Sequence, residues 1–106
     1  MVRRRMNTTA ENTVETKSVE LFSGFDPLRM DCGEELSSVT VAYETYGELN
    51  AAADNAILVC HALTGSAHAA GLSTDDPKSA GWWDSFIGEG KTLDTRKYFV
   101  ICSNFL

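Results

Sequence analysis

The residues best placed for chemistry lie at the end of an apolar run. Residues 56–60 (AILVC) are consecutive apolar residues, and they are followed by the turn of residues 61–65 (HALTG). Such a run predicts a fully buried strand of the kind found in parallel sheets. Functional residues in open α/β sheets gather beyond the carboxyl ends of the strands, so residues 61–65 are the first candidate site. A backbone N–H that small neighbours leave accessible there could stabilise an oxyanion.

Other residues nearby could also do chemistry, but their spacing matches no known site as well. His61, His68, Asp75 and Asp76 could be imagined as metal ligands, yet the spacing of the two histidines is not that of a ligand pair, and no metal is predicted. For His61, ordering the turn by hydrogen bonding is favoured over proton transfer. Cys60 is expected to be a buried thiol of low reactivity rather than a nucleophile.

A long loop follows the turn. Residues 66–83 are rich in Ala, Gly, Ser and Asp, and loops of this length in compact domains are usually functional or disordered. Trp82 and Trp83 could line a substrate entrance, but anchoring of the loop to the core is the favoured role. Asp84 could contact a substrate amine, or it could simply cap a short predicted helix over residues 84–87 that Gly88 stops.

Three strands are predicted ahead of this region. They are residues 18–22 (SVELF), residues 28–30 (LRM) and residues 39–46 (VTVAYETY). The third strand alternates in the manner of a half-buried antiparallel strand. One side of it carries Val39, Val41, Tyr43 and Thr45. The sequence therefore predicts an antiparallel meander before the buried strand.

A second continuous apolar run, residues 98–102 (YFVIC), predicts another buried strand. The two buried strands are far enough apart in sequence to be parallel, joined by a right-handed crossover of the βαβ type. The candidate turn would then lie at the carboxyl edge of a parallel pair.

Composition narrows the class of protein. The chain has 106 residues, of which 43% are hydrophobic, enough for the core of one small domain. A net charge of -6 argues against a nucleic-acid partner, and no apolar run is long enough for a membrane span. Three cysteines without a CxxC pair, and the lack of an apolar signal region after residues 1–5, favour the cytoplasm. Residues 1–17 are predicted to be a mobile arm.

Five segments in sequence order carry a resemblance to a known family. They are residues 43–50 (YETYGELN), 61–71 (HALTGSAHAAG), 81–84 (GWWD), 87–91 (IGEGK) and 98–104 (YFVICSN). Together they resemble the homoserine O-acyltransferases of the α/β-hydrolase superfamily, most often homoserine O-acetyltransferase. One departure is Glu89, where the family more often has Pro, and it concerns loop stiffness rather than chemistry.

The resemblance implies a fold class and a reaction. Residues 18–106 would form the N-terminal, incomplete part of an α/β-hydrolase domain, an antiparallel meander leading into a mostly parallel sheet. The implied reaction is a ping-pong transfer in which a serine takes acetyl from acetyl-CoA and the hydroxyl of L-homoserine then takes it from the serine. The resemblance also implies that the product is O-acetyl-L-homoserine, which serves methionine biosynthesis. It implies no cofactor besides the substrate acetyl-CoA, and a homodimer in the full-length protein.

The resemblance also assigns one site residue. By its position in HALTG, Leu63 would donate its backbone N–H to the oxyanion, with a second donor following the nucleophilic serine. In the family that serine and its Asp and His partners lie downstream of residue 106. Residues 1–106 are therefore expected to be inactive alone, and neither His61 nor His68 is a member of the triad.

Two alternatives to the acetyltransferase stay open. A homoserine O-succinyltransferase or a serine esterase would share the architecture, because the acyl pocket lies downstream of this segment. A non-catalytic binding module would keep the turn but lack the nucleophile.

Overall fold

The computed structural model describes residues 13–106. Its strands, in chain order, are β1 (Thr13–Val14), β2 (Lys17–Leu21), β3 (Leu28–Arg29), β4 (Glu35–Leu36), β5 (Val39–Tyr46), β6 (Ala56–Val59), β7 (Leu72–Ser73) and β8 (Phe99–Ser103). Of the predicted mobile arm, residues 1–12 lie outside the described residues. Ordered structure already begins within that arm, since β1 and the first residue of β2 belong to residues 13–17.

Four strands form the central sheet in the order β2-β5-β8-β6. β5 is antiparallel to both β2 and β8, whereas β6 and β8 are parallel, with Leu58 opposite Ile101 and Val59 opposite Cys102. The predicted pairing of the two apolar strands is therefore confirmed. Their carboxyl ends lie at the same edge of the sheet, and residues 61–65 follow there.

The predicted meander is wrong for residues 28–30. β2 pairs directly with β5, and β3 pairs with β4 in a separate hairpin whose strands are linked by an ion pair between Arg29 and Glu35. The cause is the turn at Gly33, which has a φ of 95° and donates its N–H to the Met30 carbonyl at 2.8 Å. This left-handed turn folds the segment onto itself before it can reach the sheet.

The core lies on one face of the central sheet. Its buried residues come from three strands and from the loop regions between β6 and β8. They are Tyr46, Val59, Ala69, Ala70, Ile87, Val100 and Cys102. The alternation predicted for β5 is present only in part. Val41 is buried on the odd-numbered side, but Glu44 and Tyr46 are buried on the even-numbered side, which the long loop covers.

The prediction of a fully buried strand at residues 56–60 is wrong within the described chain. Val59 is buried, but Leu58 on the opposite face is 67% exposed, and Cys60 is exposed as well. β6 lies at the sheet edge and only one of its faces is covered. Cys102, in contrast, is buried in β8, and burial raises the pKa of its thiol.

No helix forms at residues 84–87. The segment is a single turn in which Phe86 and Ile87 both donate their N–H groups to the Trp83 carbonyl, at 2.9 and 3.2 Å. The turn ends because Ile87 forms a β-bridge with Leu93. Within residues 13–106 no helix is long and apolar enough to cross a membrane.

The loop of residues 66–83 is held by close backbone packing. Gly81 donates to the Gly71 carbonyl at 2.9 Å, and a Cβ on Gly81 would overlap the backbone of Ala69 and Ala70. Trp83 packs against the core and stacks on Phe86 with ring centroids 4.4 Å apart. The anchoring role predicted for the tryptophans agrees with the contacts of Trp83, whereas Trp82 is 44% exposed.

The edge of β6 generates a testable prediction. Among the described residues β6 pairs only with β8, so its other side presents unpaired backbone groups beside the exposed Leu58. Such an edge is a template for intermolecular strand pairing. We expect residues 1–106, prepared by themselves, to self-associate, and Leu58→Lys to reduce the association in sedimentation velocity.

Leu49→Lys is the matched control, because Leu49 is 49% exposed but lies outside the strands. It should leave the association unchanged. A monodisperse monomer of the unmodified chain would contradict the prediction.

Candidate active site

The exposed turn after β6 contains backbone N–H groups that donate no hydrogen bond within residues 13–106, and Leu63 carries one of them. Gly65 donates its N–H to the Ala62 carbonyl at 2.8 Å, which closes a β-turn with Leu63 and Thr64 at its centre. Leu63 is 87% exposed. Within residues 13–106 its backbone N–H donates no hydrogen bond. The Leu63 side chain is therefore not packed against other residues in the described chain, and its N–H is not used by a hydrogen bond within residues 13–106.

His61 lies buried at the base of this turn and is only 7% exposed. Its Nδ1 is 2.6 Å from the Ala62 carbonyl oxygen, and its ring lies against that of Phe105 with centroids 4.2 Å apart. Its Nε2 is buried and has no hydrogen-bond partner among the described residues. These contacts agree with the predicted role of His61 in ordering the turn.

Neighbouring elements fix the residues that follow the turn. Asn104, just after β8, accepts the Ala67 N–H on its Oδ1 at 2.8 Å and donates its own N–H to the Ala42 carbonyl at 2.8 Å. The Ser66 carbonyl accepts the Trp82 Nε1–H at 2.8 Å. The turn is thus attached to β5, to the end of β8 and to the long loop.

Next to this turn is a buried polar cluster that the sequence analysis missed. Glu44 on β5 is fully buried, and its carboxylate accepts hydrogen bonds from Thr16 Oγ1 at 2.6 Å, Tyr46 OH at 2.8 Å and His68 Nδ1 at 3.0 Å. A glutamate in an alternating strand usually faces solvent. The available signal was that Glu44 and Tyr46, two residues apart, share one face of β5.

The Tyr46 hydroxyl connects the sheet to the loop. It accepts the N–H groups of Ala69 at 2.9 Å and Ala70 at 3.2 Å, and its proton faces both Glu44 and the Ala67 carbonyl. Burial, followed by the hydrogen bond to Glu44, raises the pKa of Tyr46 well above its usual value. Tyr46 therefore stays protonated and acts as a structural bridge.

His68 is bound through both ring nitrogens. Nδ1 faces Glu44 at 3.0 Å and Nε2 faces the Ser79 carbonyl oxygen at 2.7 Å. Both partners are acceptors, so both bonds form together only in the doubly protonated ring. Burial lowers the pKa of His68, but the hydrogen bonds to Glu44 and Ser79 and the charges of Glu44 and Asp84 outweigh it and raise the pKa. The two histidines thus have different partners, and within residues 13–106 no three potential metal ligands converge.

A cleft of about 870 Å³ lies away from the turn, beside the end of β5. Because β5 is antiparallel to β8, this end is at the amino edge of β6 and β8, opposite to Leu63. Asp84 lines the cleft, but its Oδ1 accepts the Gly71 N–H at 2.8 Å and its carbonyl accepts Lys91 Nζ at 2.6 Å. Asp84 therefore braces the loop instead of capping a helix.

Curated proteins with similar sequences include homoserine O-acyltransferases of two kinds. The chain is 56% identical over 96 residues to a homoserine O-acetyltransferase of Deferribacter desulfuricans, covering 91% of this chain and 26% of that protein. It is 52% identical over 99 residues to a homoserine O-succinyltransferase of Magnetococcus marinus, covering 93% of this chain and 25% of that protein. The chain therefore spans about a quarter of the length of these relatives. No protein-family model matches it.

Solved structures show the same likeness. Esterase E22 matches with a TM-score of 0.76 and 39% identity over 88% of this chain and 24% of its own. A homoserine O-acetyltransferase from Bacillus anthracis matches with a TM-score of 0.71 and 39% identity over 84% of this chain and 23% of its own. The fold is that of part of an α/β-hydrolase, as the resemblance to the homoserine O-acyltransferases implies.

The His68 pair makes stability depend on pH. Because folding raises the pKa of His68, its contribution is present below the ordinary pKa of about 6.5 and is lost as the pH rises through the folded-state pKa. We expect the free energy of unfolding, measured with urea over a series of pH values, to fall on going from neutral to alkaline pH.

In His68→Gln, whose amide lies near the Nε2 position and can donate to the Ser79 carbonyl but does not titrate, this fall should disappear. Lys97→Gln is the matched control, since it removes an exposed positive charge and should leave the fall intact. A fall of equal size in His68→Gln and the unmodified protein would show that another group is responsible.

Proposed function

Because this chain is homologous to the homoserine O-acyltransferases over nine-tenths of its length, we propose that the protein transfers an acyl group to the hydroxyl of L-homoserine. The observation that carries the proposal is the exposed turn at the carboxyl end of β6, in which the Leu63 N–H donates no hydrogen bond within residues 13–106, in a chain more than half identical to these relatives. Acetyl-CoA is the proposed donor, and O-acetyl-L-homoserine the proposed product for methionine biosynthesis. We further propose that the full-length protein is a cytoplasmic homodimer that needs no cofactor.

The proposed mechanism has two half-reactions. A serine supplied beyond residue 106 attacks the thioester carbonyl, and the carbonyl oxygen gains negative charge before the C–S bond breaks and CoA leaves with a proton. The homoserine hydroxyl then attacks the carbonyl carbon of the acyl-serine and loses its proton. The ester bond to the serine breaks, and the serine leaves with a proton. In both half-reactions the Leu63 N–H donates to the oxyanion, an interaction stronger in the transition state than in the ground state.

The acyl donor can be tested by competition in the full-length protein. We expect CoA release from acetyl-CoA to depend on L-homoserine and to exceed that from succinyl-CoA. The reverse preference would favour the succinyltransferase, which the Magnetococcus relative represents. Ester hydrolysis without any homoserine-dependent CoA release would favour a serine esterase, in line with the likeness to esterase E22. Binding of the substrates without any turnover would indicate the non-catalytic module.

Replacing Leu63 by Pro tests the oxyanion donor, because proline has no N–H. In the full-length protein we expect kcat to fall by about 10²- to 10³-fold, the usual effect of one lost oxyanion donor. Leu63→Ala keeps the N–H and, since the side chain is exposed, should cost far less. If both variants stay folded by circular dichroism and lose activity equally, Leu63 is not the donor.

A further inference from the structure

We infer that His61 is a positioning residue for the oxyanion turn: its Nδ1–H holds the Ala62 carbonyl and so fixes the direction of the Leu63 N–H, while its Nε2 accepts a hydrogen bond from a donor outside the described residues. The inference rests on the proposed function for its catalytic consequence. Its structural part, the protonation pattern of the His61 ring, can be tested without it.

The geometry of one peptide group links His61 to Leu63. The Ala62 carbonyl and the Leu63 N–H belong to the same planar trans peptide and point in opposite directions. The carbonyl oxygen faces His61 Nδ1 at 2.6 Å and the Gly65 N–H at 2.8 Å. Any contact that fixes this oxygen therefore fixes the direction in which the Leu63 N–H points.

The proton on His61 is assigned by its partner. A carbonyl oxygen only accepts, so Nδ1 must carry the hydrogen. In this tautomer Nε2 presents a lone pair, and it is buried without a partner within residues 13–106. A buried acceptor without a partner is unfavourable, so we assign it an N–H, hydroxyl or water donor outside residues 13–106. The ring is buried while the apex of the turn is exposed, which favours positioning over proton transfer.

Two neighbours keep the ring in place. Phe105 covers it, with ring centroids 4.2 Å apart and an interplanar angle of 30°. A Cβ on Gly65 would lie 3.2 Å from His61 Cβ, 3.3 Å from the Ala62 oxygen and 3.4 Å from His61 Nδ1. A methyl group here would press on both members of the hydrogen bond and would need them to shift by a few tenths of an ångström.

Kinetics of the full-length protein test the inference with two polar variants. Asn places its amide near the Nδ1 position, whereas Gln places it near Nε2. We expect His61→Asn to keep kcat within a few-fold and His61→Gln to lower it by about 10- to 100-fold, part of the effect of losing an oxyanion donor outright. KM should change little in either variant, because the interaction acts on the oxyanion.

Gly65→Ala should lower kcat in the same way, since it disturbs the hydrogen bond without removing a polar atom. Gly24→Ala is its matched control, because a Cβ on Gly24 meets nothing within 4 Å. Equal losses in His61→Asn and His61→Gln, or a loss seen mainly in KM, would overturn the positioning role. A high kcat in His61→Gln with a low kcat in His61→Asn would overturn the role of Nδ1 and assign it to Nε2.

Nitrogen-15 NMR of the histidine rings gives a readout independent of turnover. We expect the His61 ring to carry a hydrogen on Nδ1, with Nε2 as the acceptor. If no acyl donor supports turnover, the proposed function fails while this pattern still stands. The opposite tautomer at His61 would overturn the inference even in an active protein.

Discussion

The buried carboxylate of Glu44 is the constraint on which this arrangement depends. An ionised group in the interior is tolerated only when hydrogen bonds and an opposite charge surround it. Here the three donors come from different places: Thr16 precedes β2, Tyr46 is on the same strand, and His68 is in the long loop. Satisfying one carboxylate therefore brings the start of the described chain and the loop to the same face of the sheet.

The position of the segment that follows the turn of residues 61–65 depends on that cluster through a short series of contacts. Tyr46, held by Glu44, binds the backbone of Ala69 and Ala70, and Ala67 in turn is bound by Asn104 at the end of β8. Hydrogen bonds to its backbone thus hold the loop against the sheet, where a helix would be held by apolar packing. This explains how a loop rich in small residues can position a site.

The sequence predicts what depends on local pattern. Strand length and side-chain period are local properties, so the sequence predicts the strands β5, β6 and β8 and the turn at Leu63. Three features depend on neighbours distant in sequence, so the side-chain period does not predict them. They are the hairpin of β3 and β4, the single turn near Phe86 and the burial of Glu44. The reading of Cys60 as buried failed for the same reason, since burial of an edge strand is decided by what covers it.

The shared peptide group of Ala62 and Leu63 has a consequence for the strength of the donor as well as for its direction. An amide whose carbonyl accepts hydrogen bonds becomes more polarised, and its own N–H then carries more positive charge. The Ala62 oxygen faces two N–H groups, one from His61 and one from Gly65. In the proposed site these contacts would raise the electrostatic potential at the Leu63 N–H by polarising its own peptide group.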